Sequence, residues 1–233
     1  MLAHDDLTAA YALDDRETPR IRMNFVASVD GAATVAGRSA GLGGDTDRAI
    51  MQVLRAMSDV VLVGAGTVRA EGYGGTKVDG EDAAWRRAHG LPEQPRLAVV
   101  SRRLDLEPGH PFFRDAAARP LVVTCAAAPA DRREALGAVA DVMVCGDETV
   151  DLADMRAQSA AAGRTQILCE GGPHLFGALH DARLVDEVCL TLSPRLAGGA
   201  AGRIMRGSTE AVADLRLASL LRDDDWLFLR YAR

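Results

Sequence analysis

The sequence is poor in aromatic residues, in paired cysteines and in clustered positive charge, and each shortage removes a class of function. Aromatics make up 4% of the chain, too few for a surface that stacks bases along a strand. No block of lysine and arginine occurs, and the formal net charge is -6. Nucleic-acid binding needs a concentrated positive face, so no nucleic-acid partner is expected. Cys125, Cys145, Cys169 and Cys189 stand far apart and form no C-x-x-C pair; they read as buried, reduced thiols, not zinc ligands. The H-x-E and P-C-x-x-C signatures of zinc nucleobase deaminases are both missing,. His174 and His180 are six apart and read as surface histidines, so no metal is expected,. No run of about 18 apolar residues suggests a membrane span. The N-terminal MLAHDDLTAAYALDDRETPR has no apolar signal-peptide core,. What remains is a cytoplasmic globular protein, with 48% hydrophobic residues to build a core and 26% charged residues to solvate it,.

Short apolar runs bounded by Gly, Pro or Asp predict strands over Ile21–Ser28, Asp59–Val63, Arg96–Ser101, Pro120–Thr124, Asp141–Cys145, Thr165–Cys169, Val185–Ser193, Leu215–Leu221 and Trp226–Tyr231,. Helices are predicted over Asp45–Met57, Asp131–Val139, Asp151–Ala162 and Pro173–Ala182, with Asp or Pro at their starts,. This alternation implies an α/β fold with a mostly parallel sheet and helices on both faces. The last two strands, joined by Arg-Asp-Asp-Asp, read as an antiparallel hairpin at one edge,. Residues 1–20 read as an N-terminal extension and 21–233 as one domain. The long stretch Tyr73–Pro95 reads as a loop, with a short helix around Trp85-Arg-Arg, and Phe112-Phe113 as local packing,.

Two strands run into glycine turns, Gly64-Ala-Gly-Thr67 and Glu170-Gly171-Gly172-Pro173. Glycine after a strand lets backbone approach a ligand, and a following helix directs free N–H groups at it. Both turns fall at carboxyl ends of strands, where ligands of open α/β sheets bind, although glycines also simply end strands. The first turn fails as a dinucleotide fingerprint, because Arg69 stands at the third glycine position,. Ser101-Arg102-Arg103 follows a third strand, with hydroxyl and guanidinium donors suited to a ribose 2′-phosphate or, equally, to solvent,. Asp30-Gly31 could be a plain turn, Glu71 a solvated charge and Thr67 a cap.

Four segments, in order, resemble one family: NFVASVDGAAT (Asn24–Thr34), SDVVLVGAGTVRAEGYG (Ser58–Gly74), ILCEGGPHLFGAL (Ile167–Leu179) and LVDEVCLTLSPRLAGG (Leu184–Gly199). They look like the pyrimidine reductase domain of riboflavin biosynthesis, in its stand-alone actinobacterial branch. The resemblance implies a dihydrofolate-reductase-like fold, NADPH as hydride donor and a homodimer, with 21–233 as the reductase domain. The implied reaction reduces a ribosylaminopyrimidine 5′-phosphate, of the 5-amino-6-(5-phosphoribosylamino)uracil type, to its ribitylamino product. It places Gly64, Ala65, Gly66, Thr67, Ser101, Arg102, Gly171 and Gly172 at the cofactor. Asp30 and Glu170 become candidates for orienting or protonating the substrate, and Asn24, Ser28, Glu71 and Tyr73 for binding it. The chain departs from the family pattern at Asn24, where a Lys or similar donor is usual. Leu42-Gly43-Gly44 replaces W-I-T, and Ala70-Glu71-Gly72-Tyr73-Gly74 replaces A-D-D-P-x-L-T. Those departures keep open a dihydrofolate or pterin reductase, and a non-catalytic nucleotide-binding dimer is the third reading.

Overall fold

In the computed structural model, which describes residues 2–208 and 210–233, nine strands form one sheet in the order β5-β4-β3-β2-β6-β1-β7-β9-β8. The strands are β1 (Arg20–Ser28), β2 (Val60–Gly64), β3 (Arg96–Val100), β4 (Leu121–Thr124), β5 (Asp141–Val144), β6 (Gln166–Cys169), β7 (Glu187–Ser193), β8 (Arg216–Asp223) and β9 (Trp226–Ala232). From β5 across to β7 every neighbouring pair is parallel, and β9 and β8 add the antiparallel edge hairpin. All nine predicted strands are present with ends shifted by a few residues. The hairpin turn is tighter than expected, because Arg222 and Asp223 stay in register opposite Leu227 and Trp226. Asp224 then takes the left-handed φ of 51° that a two-residue turn demands,.

The helices are α1 (His4–Tyr11), α2 (Asp45–Ala56), α3 (Ala65–Glu71), α4 (Gly80–Ala88), α5 (Pro111–Arg114), α6 (Ala130–Gly137), α7 (Leu152–Ala161) and α8 (Pro173–Asp181). Alternate residues of each central strand point to opposite faces, which divides the core in two. Val61 and Val63 of β2 pack beneath α1, α2 and α6, through Leu7, Ile50, Leu54 and Leu136. Val60 and Leu62 of the same strand pack beneath α7 and α8, through Met155, Leu175 and Leu179. Covering both faces explains why β2 is a continuous apolar run instead of an alternating one. Asp151 caps α7 by accepting from the Ala153 and Asp154 amides, and Pro173 opens α8, as their sequence positions predict,.

Two local structures differ from the sequence reading, while the short helix expected around Trp85-Arg-Arg is present as α4. The polar N-terminal segment is helical as α1, and Leu7 and Tyr11, one turn apart, are buried in the main core against α2,. The turn Gly64–Thr67 is the start of α3 instead of a loop. Within the stretch 73–95, α4 is held by Arg86, whose side chain is fully buried. Its guanidinium donates to the carbonyls of Ala56 (2.8 Å), Ser58 (2.6 Å) and Pro92 (2.7 Å). It thereby satisfies carbonyls at the end of α2 that have no helical partner. Burial pulls the Arg86 pKa down to about 10, so it remains a cation. Phe112 and Phe113 pack in the core as expected, and all four cysteines are buried and unpaired. Among the described residues, no helix is long and apolar enough to cross a membrane.

Candidate active site

The carboxyl ends of β1, β2 and β6 lie side by side, and the two glycine turns leave the sheet there in contact. The Gly64 amide donates to the Gly171 carbonyl at 2.7 Å. Gly171 adopts φ +111°, open only to glycine at small cost,. A Cβ on Gly172 would stand 2.7 Å from Thr67 Oγ1. Residues more than a hundred positions apart thus form one wall, with the bare backbone of Gly64 and Gly171 in contact and the Thr67 hydroxyl set against Gly172. In front of it opens a cleft of about 640 Å³, bordered by Gly64, Gly66, Thr67 and Gly172 on one side and by α2 on the other.

Glu170 sits at the floor of this cleft inside a closed polar cluster. Arg55 of α2 grips its carboxylate with two bonds, Nε to Oε1 at 2.6 Å and Nη2 to Oε2 at 2.7 Å. The Tyr73 hydroxyl donates to Oε2 at 2.6 Å. Both charged side chains are more than 90% shielded from solvent, at 8% and 6% exposure. An ion pair of this kind persists only when its geometry satisfies both partners, as the bidentate fork does. Burial, then the Glu170 charge, pushes the Tyr73 phenol well above its usual range, so it stays a neutral donor. Burial alone would lower the Arg55 pKa, but Glu170 outweighs it and the guanidinium stays charged. Both oxygens of the Glu170 carboxylate are thus engaged by Arg55 and Tyr73.

Asp30 occupies a different place from the one expected of a group that protonates substrate. It accepts from the Ser28 hydroxyl and from the Ala197 and Gly198 amides at 3.1 and 2.7 Å. The Ser28 bond first, then those amides, hold its pKa at about 2. An ionised carboxylate with three donors is a tie between the end of β1 and the segment 194–199. Ser28 is fully buried and shares that tie, and neither residue lines the cleft. Asn24, Glu71 and Tyr73 do line it, and Glu71 accepts from the Ser39 amide at 3.1 Å.

A second groove of about 460 Å³ continues from the cleft, sharing Gly64, Gly66, His174 and Leu175 with it. Ala65, Ser101 and Arg102 line this groove. The Ser101 hydroxyl is buried and accepts from the Leu104 amide at 3.0 Å, which makes it a turn-former here instead of an open donor. Arg102 and Arg103 are exposed, and among the described residues neither has an ion-pair partner. Arg69, read only as a missing glycine, also lines the groove and pairs with Asp105 at 2.9 Å.

The sequence reading missed Arg55, and Asp47 beside it in the cleft. A signal for Arg55 was present: it interrupts the run Val53-Leu54-Arg55-Ala56-Met57, all of which is buried. A charge inside a buried run implies a buried partner.

Comparison with known proteins now bears on this geometry. A sequence profile of the RibD C-terminal domain family matches residues 19–228. The chain belongs to the RibD C-terminal domain family. It is 31% identical over 182 residues to a 2,5-diamino-6-ribosylamino-4(3H)-pyrimidinone 5′-phosphate reductase of Archaeoglobus fulgidus, covering 78% of this chain and 83% of that one. It is 27% identical over 213 residues to riboflavin biosynthesis protein RibD of Mycobacterium tuberculosis, covering 90% of this chain but 50% of that protein. In structure it is similar to a pyrimidine reductase-like protein of Corynebacterium diphtheriae, with TM-score 0.85, 25% identity and 97% of each chain covered. The family match runs from the start of β1 into β9 and includes every residue that lines the cleft and groove.

Proposed function

We propose that this member of the family is an NADPH-dependent reductase of riboflavin biosynthesis, acting on a ribosylaminopyrimidine 5′-phosphate. One observation carries the reading: the groove and the cleft form a single channel, glycine-walled in the middle, with unpaired arginines at one end and a hydrogen-bonding pocket at the other. A dinucleotide fits its residues. The close approach at Gly172 and Thr67 leaves room only for backbone, and Arg102 and Arg103 supply donors for a 2′-phosphate. Bound there, NADPH would supply the hydride that reduces C1′ of the ring-opened ribosylamine. The protein's own contribution is to position the substrate. Arg55 and Glu170 hold the Tyr73 oxygen at a fixed point, and Asn24 and Glu71 present polar atoms to the sugar. The proton that completes the amine comes from water or from the substrate's own hydroxyls, since Asp30 is ionised and tied down.

The same reading takes the protein as a cytoplasmic homodimer. Strand β8 is an unpaired sheet edge with Leu217 and Leu220 each 52% exposed, and a second copy would cover them,. A monomeric mass by light scattering would remove that part of the proposal.

The decisive assay follows NADPH oxidation with the pyrimidine phosphate and, in parallel, with dihydrofolate. Consumption of the first supports the reading, consumption of dihydrofolate alone transfers the site to a pterin reductase, and binding without turnover leaves a nucleotide-binding dimer. Arg102→Ala should weaken NADPH binding about tenfold or more while leaving NADH nearly unchanged. Equal loss for both cofactors would place the 2′-phosphate elsewhere.

A further inference from the structure

Tyr73 enters the cleft from a short strap, residues 72–79, which joins α3 to α4 and has no regular structure of its own. The strap begins where α3 ends. Gly72 takes the left-handed φ of 64°, and the Tyr73 amide donates to the Val68 carbonyl at 3.1 Å,. Beyond Tyr73 the strap is fixed from outside by two contacts, at Gly75 and at Val78. None of Gly75, Val78 and Gln94 lines the cleft or the groove.

At the first contact, a Cβ on Gly75 would stand 2.0 Å from the Asp115 carbonyl oxygen and 2.2 Å from its carbon, at the end of α5. Those are backbone atoms that cannot turn aside, so the strap lies against α5 only because position 75 has no side chain. Only Gly74 separates Gly75 from Tyr73, and a Cβ there would already touch Pro111 at 3.8 Å. A shift at Gly75 is therefore passed on to Tyr73. The second contact is Gln94, whose side chain accepts from the Val78 amide at 2.8 Å and donates to the Val78 carbonyl at 2.7 Å, as a neighbouring strand would,. Val78 is 3% exposed and packs with Ala56 of α2 and Ala83 of α4. Without Gln94 its amide and carbonyl would be buried and unpaired. Thr76 lies between the two contacts, and its buried hydroxyl bonds to no described residue, so it adds no hold of its own.

We infer that Gly75 and Gln94 are positioning residues for substrate binding: they set the point in the cleft at which the Tyr73 hydroxyl stands, although neither touches the cleft. The inference rests on the reductase reading, in which Tyr73 meets the pyrimidine substrate. Inside the cleft the hydroxyl is held by Glu170 at 2.6 Å and Arg55 at 3.3 Å. Those bonds form only while the strap delivers the ring to within reach, because a hydrogen bond is lost once its partners move apart by about 1 Å. Phe112 of α5 lies against the Tyr73 ring, with centroids 6.3 Å apart, so the same short helix that receives Gly75 also backs the ring. No residue of the strap lines the groove, so the cofactor end of the channel is independent of it.

The test measures the kinetics of Gln94→Ala and Gly75→Ala in the full chain. Gln94→Ala should raise KM for the ribosylaminopyrimidine phosphate about tenfold. Gly75→Ala, which must displace the strap, should lower kcat/KM for that substrate about 100-fold. NADPH affinity should be unchanged in both, whereas a merely loosened fold would lose it too. Should Gly75→Ala fail to fold, Gln94→Ala decides alone, since it adds no atoms. Repeating Gln94→Ala in Tyr73→Phe separates positioning from packing. With no hydroxyl left to place, the second substitution should change KM by less than about twofold. Full additivity in the double variant, or an unchanged KM in Gln94→Ala, overturns the inference while the reductase reading stands. If the wild type reduces no ribosylaminopyrimidine phosphate, the reductase reading fails, and fluorine NMR of fluorotyrosine-labelled protein reads the strap without turnover. The chain has three tyrosines, and Tyr73→Phe identifies the Tyr73 resonance. Gln94→Ala should shift that resonance and leave those of Tyr11 and Tyr231 in place, which supports the strap's hold on Tyr73. A Tyr73 resonance that does not move ends the proposal.

Discussion

On one side of the cleft Gly64, Gly66 and Gly172 present bare backbone beside Thr67, whereas the floor and the opposite side are made by Arg55, Glu170 and Tyr73, side chains from three segments. The first side is a close approach of two turns, and an added atom damages it. The second is a buried charge cluster, and a lost partner damages it. The contrast yields substitutions that fail for opposite reasons, and a measurement that found the same response on both sides would break it.

The largest effect is expected from subtraction. Arg55→Ala leaves the Glu170 carboxylate buried without its cation, a change that costs about 3–5 kcal/mol. For a chain of this length the thermal midpoint should fall by on the order of 10 °C. Arg55→Ala with Glu170→Gln should recover much of that loss, because no uncompensated charge remains. A double variant no more stable than the single one would show that the pair is not what holds α2 to the end of β6.

Addition should act on catalysis before stability. In Gly172→Ala the new methyl would meet Thr67 Oγ1 at 2.7 Å, so the turn or the threonine must move. A displacement near 1 Å at a reacting site costs about 100-fold in rate, read as kcat/KM for NADPH. Adding Thr67→Ala removes the obstructing oxygen and should restore part of the activity. A smaller effect belongs to Tyr73→Phe, which deletes the 2.6 Å bond to Glu170 and keeps the ring. Its expected cost is about 1–2 kcal/mol of stability by denaturant titration, with KM for the pyrimidine raised and NADPH affinity unchanged.

The two sides also differ in how legible they were. Glycine announces its purpose locally, since only a turn or a close approach favours it at the end of a buried strand. Both glycine turns and all nine strands could therefore be read from the chain, as could their order along it. The charge cluster depends on a contact across 115 residues, Arg55 to Glu170, and nothing local to either residue specifies it. Asp47 was hidden for a related reason, because an acid in the first turn of a helix ordinarily favours the helix dipole and solvent. The partners of Asp30 were hidden for the same reason. The amides of Ala197 and Gly198, which claim it, lie 167 and 168 residues away. Arg86 is similar: the short helix around it was legible, but its task at the end of α2 follows from how α4 packs.

Asp30 supplies the mildest test and the only one that pH alone can perform. Its folded pKa of about 2 lies below the ordinary 3.8, so its bonds favour the native state above that ordinary value. The contribution is fully present at neutral pH and fades as pH falls from about 4 through about 2, where the carboxylate is protonated and can no longer accept from both amides. The group is exposed, so global stability should hardly respond. The local response should be clear: exchange protection of the Ala197 and Gly198 amides, corrected for intrinsic rates, should drop across that window. Asp30→Asn should show low protection at every pH and no such step. A step that persisted in Asp30→Asn would assign the titration to another group, and the segment 194–199 would then be held to β1 by something other than this carboxylate.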